Sequence, residues 1–274
     1  LGDVYKRQVE FRVDGMVKIT LAPQYEGYRT FLASMPDIFE NQGELIYKGR
    51  NILKKLVYKD KEFIVKKYAE PGFIRSVAYT LTSSKAHRAY FYGRRMLEEG
   101  FNTPVPIAAI EVKRKGLLSD SYFICEPDYS KSLLDEFKEN GRLSHETVGQ
   151  LTHLIMSLHE KGIFHGDLNL SNILSSEQGL VLIDTNRTRF INRNPGVNRR
   201  LQNLIRLTHD RRQLSELLGS YAELYYSSLL VSGRNSGVKK EDFVRDFTKR
   251  GIKAIERREK KKDIVHAIFG KSHR

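Results

Sequence analysis

The sequence predicts an α+β protein of two lobes, a strand-rich first half joined by a short connector to a helical second half. Three features predict it. Short runs rich in apolar and β-branched residues recur between Glu44 and Tyr68 and between Ile107 and Cys125. Val148, Leu151, Leu154, Ile155 and Leu158 then repeat at helical spacing. Between the two regimes stands Glu126-Pro127-Asp128, which reads as the connector. The lobes drawn this way are residues 16–126 and 127–274.

Bulk properties agree with a packed protein. A chain of 274 residues that is 40 % hydrophobic can bury a sizeable core. No apolar run approaches the roughly 18–20 residues that span a bilayer, and the start lacks the apolar stretch of a secretion signal. The lone cysteine, Cys125, excludes an intramolecular disulfide framework and a Cys-rich zinc site. Its place in a strand run suits a buried small hydrophobe. The expected compartment is the cytosol.

The elements follow in order. Asp3-Val4-Tyr5-Lys6-Arg7-Gln8 resembles the translation of a transposon end used in sequencing-library preparation, and the first methionine is Met16. Residues 1–15 are therefore expected to be an artefact or an untranslated leader, and the fold is read from residue 16. Val17–Leu21 is a short strand, followed by a mixed segment to Glu40. Glu44–Tyr47, Ile52–Tyr58 and Glu62–Tyr68 are strands, with a turn at Lys59-Asp60-Lys61. Ser83 or Ser84 caps a helix running to Glu99, and Gly100 ends it. Pro104 and Pro106 precede a strand pair, Ile107–Lys113 and Ser121–Cys125, joined by Arg114–Asp120. Ser144 caps the next helix and Gly162 stops it. A loop at Phe164–Asn172, a turn at Ser175–Gly179 and a strand at Leu180–Asp184 come next. Helices lie beyond Asn198, the last entering the basic tail Arg257–Lys262.

Charge is uneven. Residues 187–274 hold 22 of the 47 Lys+Arg and only 9 of the 33 Asp+Glu, so nearly all of the +14 excess sits in the last third. Such a block attracts phosphorylated ligands, anionic lipid or nucleic acid, or is simply a solvated helical face. No zinc module or aromatic-basic motif accompanies it, so specific nucleic-acid binding is not expected.

The most informative segment is Phe164-His165-Gly166-Asp167-Leu168-Asn169-Leu170-Ser171-Asn172-Ile173-Leu174. It follows a helix, places Asp and Asn five apart, and leads to an apolar strand ending in Asp184. This matches the catalytic loop of kinases, H-x-D-L-x-x-x-N, with a metal-binding Asp downstream. Phosphoryl transfer needs positioning and charge neutralisation, which such groups supply. Asp167 is the candidate base, Asn172 and Asp184 the candidate metal ligands, and His165 a scaffold residue. Upstream, Phe63-Ile64-Val65-Lys66-Lys67-Tyr68 reads as a strand whose Lys66 faces the nucleotide phosphates while Lys67 faces away. No G-x-G-x-x-G precedes it; Tyr47-Lys48-Gly49-Arg50-Asn51 is either a hairpin tip over the phosphates or an ordinary basic turn.

These residues resemble the lipopolysaccharide kinase family, which includes the 3-deoxy-D-manno-octulosonic acid (Kdo) and core heptose kinases. Asp167-Leu168-Asn169 with Asn172-Ile173-Leu174 is similar to that family's loop. So are Ser84-Lys85-Ala86, Gly100-Phe101-Asn102-Thr103-Pro104-Val105-Pro106 and Ile183-Asp184-Thr185-Asn186-Arg187. The resemblance implies a bilobal protein-kinase-like fold and an enzyme using ATP and Mg²⁺. It implies a sugar hydroxyl of lipopolysaccharide or lipid A core as acceptor, met at the inner-membrane face. Gly166, where many protein kinases have arginine, and Thr185-Asn186, in place of Phe-Gly, argue against activation-loop switching. The helix after Ser84 has no acid before Glu98, which leaves the ion-pair partner of Lys66 unassigned. Arg187, Arg189, Arg193, Arg199, Arg200, Arg206, Arg211 and Arg212 are candidates to meet an anionic acceptor, and the tail Arg257–Lys262 to meet an anionic membrane surface. A kinase of another small hydroxyl compound and a nucleotide-binding pseudokinase are the alternatives.

Overall fold

The computed structural model describes residues 7–12, 15–69, 72, 76–79, 82–191, 193–234 and 237–269. The chain forms two compact units, Leu1–Tyr129 with Val181–Arg187, and Ser130–Leu180 with Thr188–Arg274. Of the leader set apart in the sequence, residues 1–6, 13 and 14 lie outside the described residues. Arg7–Arg12 forms strand β1, antiparallel to β2 (Gly15–Leu21).

In the first unit, helices α1 (Arg29–Ala33) and α2 (Met35–Asn41) fill the mixed segment after β2. Strands β3 (Glu44–Lys48), β4 (Ile52–Tyr58) and β5 (Lys61–Lys67) form an antiparallel meander. The β4–β5 turn is two residues, Lys59 and Asp60, both at positive φ (50° and 60°) as the tight hairpin twist requires. Helix α3 (Lys85–Glu98) starts where Ser84 Oγ accepts from the His87 N–H at 3.1 Å. Strands β6 (Pro106–Arg114) and β7 (Leu117–Cys125) complete a seven-stranded antiparallel sheet of order β1-β2-β6-β7-β5-β4-β3. The β6–β7 connection is tighter than the expected Arg114–Asp120 loop. Lys115 and Gly116 turn at φ 50° and 79°, and buried Leu118 continues the strand past a register shift. Alternate residues of the central strands, such as Ile19, Phe63, Val65 and Ile124, pack with Leu32, Met35 and Phe39 and with Ala86, Ala89 and Tyr90 of α3. Cys125 is buried at the end of β7, where burial pushes its thiol up to about 12 and leaves it unreactive. The connector is fastened by Glu126, whose carboxylate accepts from the Tyr25 hydroxyl at 2.6 Å and from Lys61 Nζ at 2.8 Å.

In the second unit, β8 (Lys131–Ser132) leads into α4 (Leu133–Asn140), capped by Ser132 and ended by Gly141 at φ 68°. Helix α5 (His145–Glu160) is capped by Ser144, whose Oγ accepts from the Thr147 N–H. The chain then runs through β9 (Ile163–Phe164), β10 (Ile173–Ser176) and β11 (Gly179–Leu182), which carries it back to the first unit. Strand β12 (Arg189–Phe190) pairs antiparallel with β9. Helices α6 (Val197–Leu204), α7 (Arg211–Val231) and α8 (Lys240–Phe269) follow. Leu151, Ile155 and Leu158 of α5 are buried with Leu214, Leu217, Leu218 and Tyr221 of α7. Gly162 holds the turn between α5 and β9. Its φ is 67°, and a Cβ there would meet the Ile191 carbonyl oxygen at 2.2 Å. Among the described residues no helix is long and apolar enough to cross a membrane.

Candidate active site

The first unit brings together Lys66 and Asp184. Strand β5 lies between β4 and β7, with Lys66 opposite Leu53 on one side and Phe123 on the other. Alternation along the strand separates the two lysines as expected. Lys67 Nζ reaches Glu40 at 2.6 Å and Asp120 at 3.4 Å, whereas Lys66 Nζ reaches Asp184 Oδ1 at 2.8 Å. The partner of Lys66 is therefore the aspartate after β11, and not an acid of α3. Both groups are partly buried, at 20 % and 26 % side-chain exposure, so their attraction is less screened than at the open surface.

Asp184 is held in the left-handed region at φ 58°, which costs a non-glycine residue about 1–3 kcal/mol and persists only where the surroundings impose it. The residues after it impose it. Thr185, 3 % exposed, donates its hydroxyl to the Ala89 carbonyl of α3 at 3.2 Å. Gly93 permits this approach, because a Cβ there would meet Pro106 Cγ at 2.8 Å and Thr185 Oγ1 at 3.6 Å. Asn186 donates its amide to the Asp184 carboxylate and lies 3.3 Å from the Tyr68 hydroxyl. Tyr68 is buried; its hydroxyl is pushed well above the usual range by burial and by the charge of Asp184, so it stays a neutral phenol. Its ring lies 5.3 Å from Lys66 Nζ and 5.9 Å from Lys85 Nζ.

The motif reading did not include Tyr68, Thr185 or Asn186 among the residues that position these groups. The signal for Tyr68 was its place two residues after Lys66 on one strand face. The departure from Phe-Gly at Thr185-Asn186 marks the two side chains that fix Asp184.

The second unit brings together Asp167 and Asn172. Asn172 Nδ2 donates to the Asp167 carbonyl at 2.8 Å, and Asn169 Nδ2 donates to the same oxygen at 3.2 Å. Because the amide nitrogen of Asn172 is engaged, its Oδ1 is the end left to meet a ligand. Asn169 also accepts from the Ser171 N–H at 3.0 Å, which closes the short turn before β10. The loop is suspended from the segment around α6. Asn203 Nδ2 donates to the His165 carbonyl at 2.9 Å, Arg206 Nη1 to the Gly166 carbonyl at 3.1 Å, and the Leu170 N–H to the Leu207 carbonyl at 3.1 Å. His165 is wholly buried.

Behind that loop runs a buried hydrogen-bonded chain with a single consistent polarity. Arg200 can only donate, and its Nη1 donates to the Tyr221 hydroxyl. Asn203 uses its nitrogen on His165, so its Oδ1 accepts from His159 Nε2–H at 3.0 Å. His159 Nδ1 is then the acceptor for the Tyr221 O–H at 2.7 Å. Burial, against the hydrogen bond to Asn203 and helped by nearby Arg200, pulls His159 down to about 3, the neutral form this chain requires.

Arg200 corrects one reading of the basic third. It is fully buried and donates to the Pro195 carbonyl at 2.9 Å and to Asn194 Oδ1, with its guanidinium 4.2 Å from the Tyr225 ring centroid. It holds the fold and is not presented to an acceptor. Arg206 is engaged with the loop backbone, and Arg211 pairs with Glu259 of α8. In the basic tail, Arg258 donates to the Ile205 carbonyl at 3.2 Å.

A divalent cation of the Mg²⁺ type takes hard oxygen ligands and is usually held by one or two carboxylates plus water and substrate phosphates. Within the first unit Asp184 offers a carboxylate of that kind, and within the second Asn172 offers an amide oxygen. Among the described residues there is no cluster of three or more His, Cys, Asp or Glu that would form an all-protein cage.

The profile of the lipopolysaccharide kinase (Kdo/WaaP) family matches residues 47–217, a span that holds Lys66, Asp167, Asn172 and Asp184. The 3-deoxy-D-manno-octulosonic acid kinase of Haemophilus influenzae (strain PittGG) is 31 % identical over 109 residues. Those residues are 38 % of this chain and 45 % of that protein, so the chain spans under half the length of this curated relative. Among solved structures, WaaP in complex with acyl carrier protein has a TM-score of 0.52 at 16 % identity, covering 89 % of this chain and 98 % of that one. This likeness shows the fold, the α+β kinase-like one. With more than half its length matched by the family profile, the chain belongs to the lipopolysaccharide kinase (Kdo/WaaP) family.

Proposed function

We propose that this chain is an ATP-dependent kinase that phosphorylates a sugar hydroxyl, of Kdo or heptose, on lipopolysaccharide or its lipid A core. The observation that carries the reading is the loop itself. Asp167 stands in a turn fixed by two amides on its own carbonyl and by Asn203 and Arg206 on the two preceding ones. A carboxylate so placed can orient a hydroxyl and accept its proton as the oxygen attacks the γ-phosphorus. The bond from phosphorus to the β–γ bridging oxygen breaks, and the nucleotide leaves as the diphosphate. Lys66 is the proposed contact to the α- and β-phosphates. Asp184 and Asn172 are the proposed ligands of Mg²⁺, which when bound neutralises charge on the phosphates. The reaction would take place on the cytoplasmic side, with the basic surface facing the inner membrane.

The test is transfer of labelled γ-phosphate from Mg-ATP to Kdo-bearing lipid A, with Asp167→Ala alongside. Label in the lipid, lost in the variant at unchanged folding, supports the reading. An active Asp167→Ala protein would remove Asp167 as the base. An inactive wild-type protein that still binds nucleotide would redirect the search to another hydroxyl acceptor.

A further inference from the structure

The second unit contains a cavity of about 410 Å³ at the start of α6, lined by Arg193, Asn194, Gly196, Asn198, Arg199 and Arg250 among others. Its size falls within the roughly 300–1,000 Å³ of small-molecule sites, so it holds more than a bare ion. Three arginines from two stretches of chain, Arg193, Arg199 and Arg250, line it. Arg193 and Arg199 are exposed and form no ion pair among the described residues. Arg250 is aimed by α8 and anchored through Nη2 to Asn198 Oδ1 at 3.0 Å, with Asp246 as an exposed neighbour at 3.7 Å.

Two further features make the cavity favourable to an anion. Helix α6 begins at Gly196 with no side-chain cap. Gly196, Val197 and Asn198 all line the cavity, where the positive end of the helix is available. Beneath lies Arg200, fully buried, in no ion pair among the described residues, and clamping the cavity wall through Pro195 and Asn194. Its N–H groups are taken by Pro195, Asn194 and Tyr221 and its face by Tyr225, so its charge is held within the wall by neutral partners and adds to the positive potential of this region.

We infer that this cavity is a subsite for a phosphate monoester carried by the acceptor, separate from the phosphate that is transferred. The inference rests on the proposed kinase reading for the identity of the ligand's carrier, but not for the presence of the anion site. Guanidinium forks pair with phosphate oxygens bidentately, which fixes orientation as well as affinity. The cavity wall is also tied to the catalytic loop, through Arg200, Tyr221, His159 and Asn203 to the His165 carbonyl. A phosphate seated there would bind against a wall whose position is set by the same buried chain that sets Asp167.

The test uses the full chain and the double variant Arg193→Gln/Arg199→Gln, whose exposed positions leave the core intact. The first arm is calorimetric titration with inorganic phosphate, which needs no kinase activity. Wild type should bind, and the variant should lose about tenfold or more in affinity, as expected for two charge-assisted contacts. Equal affinities in the two proteins would overturn the anion site. The second arm measures transfer to Kdo-bearing lipid A and to the same lipid after enzymatic removal of its phosphates. The variant should raise KM for the phosphorylated acceptor about tenfold at little-changed kcat, and leave the dephosphorylated acceptor unaffected. A KM increase of the same size on both acceptors, or on neither, would overturn the assignment to acceptor phosphate. Failure of wild type to phosphorylate any Kdo lipid would count against the Kdo-lipid acceptor of the proposed function alone, since the first arm decides the site.

Discussion

Protonation of His159 should uncouple the loop around Asp167 from its support, and the size of the effect follows from burial. The ring is fully buried, and its ordinary value of 6.5 falls to about 3 because burial disfavours the charged form and Arg200 adds to this. Between those two values the unfolded chain binds a proton that the folded chain does not. The folded-state value is the lower one, so this contribution is complete above pH 6.5 and is lost as pH falls towards about 3. At pH 5, about 1.5 pH units below the ordinary value, the loss is about 2 kcal/mol at about 1.4 kcal/mol per unit. Protonation would also place a hydrogen on Nδ1, where Tyr221 already donates, next to the Arg200 charge on the same hydroxyl. The assay is urea unfolding of wild type and His159→Gln at pH 7.5 and pH 5.0. Glutamine keeps a donor and an acceptor but cannot titrate; at pH 7.5 the variant should be less stable by about 1–3 kcal/mol for imperfect hydrogen bonds. Between the two pH values wild type should lose about 2 kcal/mol more than the variant, because every other titrating group is common to both. Equal losses in the two proteins would refute the buried, neutral histidine as the source of the pH dependence.

Other substitutions test neighbouring parts of the argument. Asn203→Ala removes the donor to the His165 carbonyl and the acceptor for His159 at once, and should cost about 2–4 kcal/mol in unfolding free energy while lowering transfer. Gly162→Ala forces a left-handed φ on alanine and drives its Cβ into the Ile191 carbonyl. A loss above about 2 kcal/mol in denaturant midpoint analysis is expected, and a loss below about 0.5 would contradict the close approach. Lys66→Met breaks the pair with Asp184 and should change stability by no more than about 1 kcal/mol. Its nucleotide affinity, read by fluorescent-nucleotide titration, should fall at least about tenfold.

Much of the architecture was legible because local chemistry and tertiary position agreed. Ser84, Ser132 and Ser144 cap helices in the folded chain through contacts three residues long, and two of the three had been singled out from sequence alone. Strands β4 and β5 stand within a residue of their predicted limits, since alternation and the Lys59-Asp60 turn both fix register. The β6–β7 turn was missed because Lys115 takes a positive φ that glycine signals more openly, and because Leu117 and Leu118 read as part of a loop until their pairing with Arg114 and Lys113 is seen. Helices α1 and α2 were missed for a different reason: they are five and seven residues long, too short to show a period.

The candidate site divides along the same line. Asp167 and Asn172 were legible because five residues of chain join them, and the hydrogen bond between them is a local one. The pairing of Lys66 with Asp184 crosses more than a hundred residues, and a search for acids on the helix after Ser84 could not find it. Arg200 makes the point most sharply. By composition it is one more cation in a basic third; by position it is buried, with Asn194, Pro195 and Tyr221 taking its N–H groups and Tyr225 taking its face. Arg206, six positions further on in the turn after α6, holds the Gly166 carbonyl, while Arg199, the residue just before Arg200, lines a cavity. Adjacent residues on a helix point about 100° apart, so one arginine can be structural and the next available to a ligand. Net charge therefore says how much positive potential the region carries, and the helical phase decides which guanidiniums spend it inside the fold.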